Sequence, residues 1–317
     1  MVANESEAAL SVLIAAWNCW GDLERCLHSI LQDPEIPSNL EIVVVDNGSE
    51  DGTPARLLRS FPGVRLARNE ANLGHARAVN QAMELARGEF LLVLDADTVV
   101  RPGAFARLLT FLRERPEVAV AAPRMFNGDG TIQETARSFP KPINGLLGRQ
   151  SILTRWFPNN RFVKQYLRTE DRARSSPFRV DWVSAACMMF SAALVRRIGP
   201  WDEGYHSYWV DADWCMRAGI AGGTIYCVPG AQVVHFEQNR RGRRKSARRT
   251  VLFHRSVNRF YRKHYTRGWL DPRAVAASLV LGVRAAFLVT GNLFLPPDGI
   301  VESKNPIAIL EERPKEE

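Results

Sequence analysis

The chain has 317 residues with 46% hydrophobic content, normal for a globular protein with a sizeable core, as one large domain or a domain with an appendage. Its net charge of +8 directs attention to an anionic partner, whether nucleic acid, membrane surface or charged substrate. The five cysteines are odd in number and lack metal-type spacing, and the first ten residues lack the basic and apolar pattern of a signal peptide, so reduced thiols in a cytoplasmic protein are expected.

Strand and helix signals alternate through the first 125 residues. "LSVLIAAW" is an apolar run of strand length, and "DLERCLHSILQ" spaces Leu23, Cys26, Leu27, Ile30 and Leu31 as a helix does. "LEIVVVDNGSEDG" is a β-branched run ending in turn residues, and "TPARLLRSF" opens with a helix-starting Thr53-Pro54 pair. "VRLARN" reads as a short strand, "HARAVNQAMELARG" as a helix closed by Gly88, and "EFLLVLDAD" as a strand. The helix "RPGAFARLLTFLRER" and the strand "VAVAAPRMF" follow. Residues 140–178 lack a clean period and read as a basic, aromatic excursion over a site. A strand from Val183 to Phe190, a helix from Ser191 to Ile198 and a helix through "DADWCMRAG" come next. "TIYCVPGAQVVHFE" reads as two strands around a Pro-Gly turn.

Strands separated by helices of this length imply βαβ units and a parallel sheet, whose ligands bind beyond the carboxyl ends of its strands. Asn18, Asp46 with Asn47, Asn69, and Asp95 with Asp97 all end strand runs and would gather there. Asp95 and Asp97 repel each other. A strand end can turn so that both face a ligand, and a divalent ion would relieve the repulsion while keeping room for phosphate oxygens. Alternatively, one Asp caps the strand and the other is solvated. Together these polar ends suggest a pocket for a nucleotide and a metal.

In order, "SVLIAAWN", "VVVDNGSEDGT" and "NLGHARAVNQAMELARGEFLLVLDAD" closely resemble the family 2 glycosyltransferases, over about residues 10–240. The resemblance implies an α/β fold of the GT-A type: a Rossmann-like, mainly parallel sheet flanked by helices. It divides residues 1–240 into a nucleotide-sugar half (10–125) and an acceptor half (126–240), with 241–317 as a basic, helical extension. It also implies roles. Asp46 contacts the nucleotide base, in a site lined by Ala16 and Asn18 and joined by Asn47. Asn72, Gly74 and Arg77 lie against the nucleoside. Asp95 serves the ribose or the metal, and Asp97 the metal. Turn chemistry alone would also explain Asn47 and Asn72.

"GPWDEGYHSYWVDADWCMRAG" resembles the family segment ending in Glu-Asp-x-Asp. The expected Glu falls on Val210, a departure, and the base falls on Asp211. A helix-capping role is the other reading of Asp211. Asp213 would be structural. His235, after a late strand, would complete the ligand set of a divalent cation, Mg2+ or Mn2+. Asp181, Trp182, Trp201 and Asp202 would border the acceptor.

The implied reaction is inverting transfer of a sugar from a nucleoside-diphosphate donor to a hydroxyl, with Asp211 as base. Length and the "VDWVSAA" and "WVDADWC" segments look most like bacterial rhamnosyltransferases, which implies a dTDP- or UDP-sugar donor and a glycan or polyprenyl-diphosphate acceptor for surface polysaccharide. The seven bases of "RRGRRKSARR" and the apolar run Val275–Leu295 fit peripheral contact with the inner face of the membrane. Arg284, mid-run, argues against a span and for an interfacial or packed helix. No recognition-helix pattern supports a nucleic-acid partner. A non-catalytic carbohydrate-binding or scaffold protein is the rival reading, motivated by Val210.

Overall fold

The structure is a computed structural model and describes residues 8–140, 161–206, 208–236, 247–268 and 270–292. Three apolar runs form the centre of its sheet: β1 (Leu10–Ala16), β2 (Leu40–Asp46) and β4 (Phe90–Asp95). β1 pairs in parallel with β2 from Leu10↔Leu40 to Ala16↔Asp46, and with β4 from Leu10↔Phe90 to Ala15↔Asp95. The register alone therefore sets Ala16, Asp46 and Asp95 side by side on the carboxyl edge. β3 (Arg65–Arg68) extends the block beside β2.

Helices α1 (Trp20–Leu31), α2 (Thr53–Ser60), α3 (His75–Leu85) and α4 (Ala104–Arg113) connect the early strands. Alternation along β1 feeds two cores: Leu10, Val12 and Ile14 pack with Leu23, Cys26, Leu27 and Ile30 of α1, whereas Leu13 packs with Ala78, Val79 and Ala82 of α3. The helices thus cover both faces.

After β4 the chain turns at Ala96-Asp97 into β5 (Thr98–Val100). Next come β6 (Val118–Asn127), β7 (Ile132–Gln133), β8 (Ala136–Arg137), α5 (Arg161–Leu167), a 3-10 turn (Thr169–Ala173), β9 (Phe178–Val180) and β10 (Trp182–Val183). β11 (Cys187–Ser191), α6 (Ala192–Ile198), α7 (Val210–Ile220) and β12 (Thr224–His235) complete the domain. The main sheet has the order β3-β2-β1-β4-β11-β6-β12-β5, with β7 beside β6 and β9 beside β12. β1, β2, β3, β4, β6 and β12 share one direction, so the sheet is mainly parallel; β11 runs against both its neighbours, β4 and β6.

Two strand expectations are corrected. The run Val183–Phe190 is broken: β10 ends at Val183 and β11 begins at Cys187. The backbone between them bonds elsewhere, with the Ala185 N–H donating to Asp211 and the Ala186 carbonyl accepting from the Asp95 N–H. The run 224–235 is one strand, not two. It shifts register against β6 between Val228 and Gln232, where Pro229 has no N–H to give the ladder. Of the excursion 140–178, residues 141–160 lie outside the described residues, as do 240–246 of the basic cluster.

The C-terminal segment forms α8 (Ala247–Tyr265) and α9 (Pro272–Asn292). α8 docks on the domain through Phe260, whose ring lies 5.1 Å from Trp209 and 6.4 Å from Phe139.

Candidate active site

Asp46 is fully buried at the end of β2. Its Oδ2 accepts from the Ser49 N–H at 3.1 Å and lies 3.8 Å from Arg68 Nε, while its Oδ1 is buried and, among the described residues, without a hydrogen-bond partner. Trp17 and Asn18, which follow β1 at the same edge, are exposed. Asn18 takes a left-handed conformation (φ 48°) so that its N–H reaches Ser49 Oγ and its Oδ1 accepts from the Glu50 N–H, both at 2.8 Å.

Asn47 is turned inward. Its Oδ1 accepts from the Leu73 N–H (3.0 Å) and Asn69 Nδ2 (3.1 Å), and its Nδ2 donates to Asn72 Oδ1 (3.2 Å) and the Gly74 carbonyl (3.3 Å). It shapes the 69–74 loop. Asn72 is exposed and accepts from the Gly74 N–H at 3.0 Å. Gly74 is buried with φ 95°, and a Cβ there would lie 2.7 Å from the His206 ring. Arg77 leans toward Glu203 at 3.9 Å.

Asp95, Asp97 and His235 converge, with one ligand atom from each within 4.8 Å of the others. The β5–β12 register makes this possible by pairing Thr98 with His235. His235 Nε2 lies 3.2 Å from Asp97 Oδ1 and 3.8 Å from Asp95 Oδ2. Its other nitrogen, Nδ1, is 2.9 Å from Gln133 Oε1. Gln133 is oriented by donating its amide to Asn127 Oδ1 at 3.1 Å, so its oxygen must face the imidazole. Nδ1 therefore donates to Gln133, and Nε2 is the nitrogen that faces the carboxylate cluster. This is how metal-binding histidines are usually held. Burial pushes the Asp97 carboxyl up, but the hydrogen bond and charge of His235 outweigh it and hold it below the ordinary range. Two carboxylates and one imidazole suit a small divalent cation. His75 Nε2 stands 4.0 Å from Asp95 Oδ1 on the opposite wall, its ring against Trp201.

Asp211 sits in the first turn of α7. Its Oδ2 accepts from the Ala185 N–H at 3.2 Å and its Oδ1 from the Ala212 N–H at 2.9 Å. Burial raises its pKa, against the pull of those two N–H groups. Ala185 and its neighbour Ala186 thus hold Asp211 and Asp95, so the base candidate and the acidic pair flank one short turn. Val210 is 1% exposed in the apolar core, a position where an acid would be buried. Asp213, fully buried, is structural: Arg217 Nε (3.0 Å), Lys263 Nζ (2.8 Å) and His264 Nε2 (2.7 Å) surround it.

The residues expected at the acceptor side stand behind the site. Trp182 is 4% exposed, stacked on Trp209 at 6.2 Å, with its indole N–H on the Ser138 carbonyl. Trp201 is 2% exposed, so neither ring has a free face for a sugar. Asp181 accepts from the Phe139 N–H at 2.7 Å. Asp202 faces α8, where Arg259 Nη2 (2.8 Å) and Lys263 Nζ (2.9 Å) hold it.

The sequence and the fold match known transferases. The sequence model named Glycosyl transferase family 2 matches residues 11–198, well over half of the chain. The chain belongs to glycosyltransferase family 2. This family 2 enzyme is 29% identical over 295 residues to N-acetylglucosaminyl-diphospho-decaprenol L-rhamnosyltransferase of Mycobacterium tuberculosis, covering 90% of this chain and 94% of the relative. Its fold resembles a mannosyltransferase from Pyrobaculum calidifontis solved with GDP-Man and Mn2+, with TM-score 0.55 and 19% identity, covering 90% of this chain and 73% of that one. It also resembles GalNAc-T7 solved with UDP, GalNAc and Mn2+, with TM-score 0.57 and 17% identity, covering 94% and 60%. The GT-A fold expected from sequence is the fold observed.

Several residues of this family 2 site escape sequence reasoning. Gln133 lies in a two-residue strand whose hairpin with β6 swings it onto His235. Asn80, buried in α3, grips the Trp201 backbone at both its N–H and its carbonyl (2.9 Å each) and so ties the loop after α6 to that helix. Trp17, 53% exposed, had a readable signal: a large aromatic at the polar end of a strand.

Proposed function

We propose that the enzyme transfers a sugar, rhamnose foremost, from a dTDP- or UDP-sugar to a hydroxyl of a polyprenyl-diphosphate-linked glycan at the inner face of the cell membrane, for surface polysaccharide. The observation that carries this reading is the pairing of a half-buried carboxylate, Asp211, with the Asp95-Asp97-His235 cluster across the 184–186 turn. The donor and lipid-linked acceptor follow the relative that shares nearly the whole chain.

Residues 10–125 would bind the donor and 126–240 the acceptor, with 241–317 as the extension. Asp46 Oδ1 would accept a base N–H once the pocket opens to it, with Trp17 against the base face and Ala16, Asn18, Asn72 and Gly74 lining the nucleoside. Asp95, Asp97 and His235 would hold the divalent cation, which when bound neutralises the diphosphate leaving group. Asp211 takes the proton of the acceptor hydroxyl as the new bond forms, and its raised proton affinity suits it to that task. The Ala185 and Ala212 N–H groups keep its carboxylate aimed. A base on the acceptor side without an enzyme nucleophile gives inversion at the anomeric carbon.

The test is a panel of nucleotide sugars with Mg2+ or Mn2+, reading nucleoside diphosphate release with and without a polyprenyl-diphosphate acceptor. A dTDP- or UDP-deoxysugar should turn over, faster with acceptor, and the product anomer should be inverted. No turnover with any donor refutes the reading, and full activity in a chelator refutes the cation.

A further inference from the structure

Helix α9 is apolar on both sides. Ala274 and Leu281 are buried against the protein, while Val275 (48%), Leu279 (65%), Val280 (49%), Val283 (72%) and Phe287 (64%) are exposed. Four of them recur every fourth residue and form a stripe along one face, about 18 Å long at 1.5 Å per residue. A surface helix on a soluble domain ordinarily shows the reverse, with polar groups outward. In α9 the exposed polar side chains Arg273 and Thr290 stand near its ends, and the mid-helix Ser278 and Arg284 are half-buried. Ser278 Oγ donates to Asn258 Oδ1 of α8 at 3.0 Å. Arg284 is half-buried, and its charge reaches His254 of α8, whose pKa burial first and Arg284 second push down. Arg284, which argues against a span in the linear sequence, is therefore turned away from the apolar stripe. The helix is also long and apolar enough to cross a bilayer, with 11% of its most apolar window buried.

The charge around the stripe selects its occupant. Residues 247–292 hold nine Lys or Arg and one acid, Asp271. A second copy of this chain would bring a further nine cations to the same face of a protein already at +8. An anionic bilayer offers the opposite sign at its surface and hydrocarbon beneath it.

We propose that the α8–α9 hairpin lies in the headgroup plane of an anionic membrane, with the Val275-Leu279-Val283-Phe287 stripe in the acyl boundary. The hairpin lies flat because α8 is bound to the catalytic domain through Arg259 on Asp202 and through Lys263 and His264 on Asp213. A spanning α9 would have to leave α8 and carry Arg284 into hydrocarbon. The same ion pairs hold the loop before Asp211, so the membrane face and the base share one scaffold. The proposal rests on the reading of a membrane-held acceptor for its purpose, but its test needs no acceptor, so the two can fail separately.

The full chain is floated with vesicles of phosphatidylcholine alone and with phosphatidylglycerol added, beside the triple variant Leu279→Glu/Val283→Glu/Phe287→Glu and the single variant Val283→Glu. Circular dichroism and the thermal midpoint verify that each variant is folded. The wild type should float with the anionic vesicles and come off in alkaline carbonate. Its partition should fall roughly tenfold or more in the triple variant and by less in the single one. Wild-type protein that stays unbound, or variants that float equally well, overturn the proposal. Carbonate-resistant protein overturns the flat orientation. A concentration-dependent dimer in sedimentation that the triple variant abolishes assigns the stripe to a second copy instead.

Discussion

Replacing Gly48 by alanine should destabilise the enzyme far beyond what one methyl group suggests. Gly48 has φ +78°, a region where an L-residue costs about 1–2 kcal/mol. A Cβ built on it stands 2.7, 2.8 and 2.9 Å from Ala71 Cα, C and N. All three are backbone atoms, so no rotamer change can relieve the clash. Forcing a methyl group into such a place costs about 1–3 kcal/mol, and the sum is about 2–5 kcal/mol. The loop that must retreat is the one Asn47 ties through Leu73, Asn69 and Asn72, so donor affinity should weaken with stability. Urea unfolding followed by fluorescence measures the first effect and donor KM the second. Gly63→Ala is the control, since nothing lies within 4 Å of its Cβ and its φ is not left-handed. A loss under about 1 kcal/mol for Gly48→Ala, or an equal loss for Gly63→Ala, would refute the steric account.

Asp211→Asn should lower kcat by about 10²–10⁴ with donor binding retained. The acid limb of the wild-type pH–rate profile should sit above the ordinary carboxylate range, because burial raises the Asp211 pKa; a limb at or below that range contradicts the base assignment. Gln133→Leu should weaken metal affinity about 10–100-fold in calorimetry, with the fold intact, by freeing the His235 tautomer. Trp17→Ala should raise donor KM without lowering kcat, since base–aromatic stacking is worth about 1–3 kcal/mol. Burial pushes the Asp202 carboxyl up, but Arg259 and Lys263 overcome it and hold it at about 2, below its ordinary 3.8. A depressed carboxylate stabilises the fold above its unfolded pKa, so this contribution should fade as pH drops from 3.8 toward 2. Lys263→Met should flatten that acid limb in urea midpoints taken across the window.

What the linear sequence carried was local. β-branched runs closed by Asp and Asn announced the strands and their polar ends, and parallel pairing then aligned Ala16, Asp46 and Asp95 without further information. Relations between distant segments were hidden. Gln133 and His235 are 102 residues apart and meet because β7 and β12 both pair with β6. The break at Ser184–Ala186 has ordinary strand composition, but its N–H groups turn to the Thr135 carbonyl, Asp211 and the Ser184 hydroxyl. The sequence suggests only that Trp182, Trp201 and Asp202 border the acceptor; it does not display the packing of Trp182 on Trp209 or the reach of α8 to Asp202. The sequence places Arg284 mid-helix, but which side of the helix its charge takes depends on the neighbouring helix.

The antiparallel strand β11 has a consequence for how the enzyme can be divided. It comes from the later part of the chain and lies between β4 and β6, two strands of the earlier part. A ribosome that has released residues 1–127 has released a sheet edge at β4 and a β6 without its neighbours, both ready to pair with another chain. The donor and acceptor segments are therefore not exchangeable cassettes. A chimera joined near residue 126 would break five ladders at once, those of β11 with β4 and β6, of β12 with β5 and β6, and of β7 with β6, whereas a junction after β12 would break none in the sheet. Specificity in this scaffold is best altered through its loops, with the interleaved strands inherited whole.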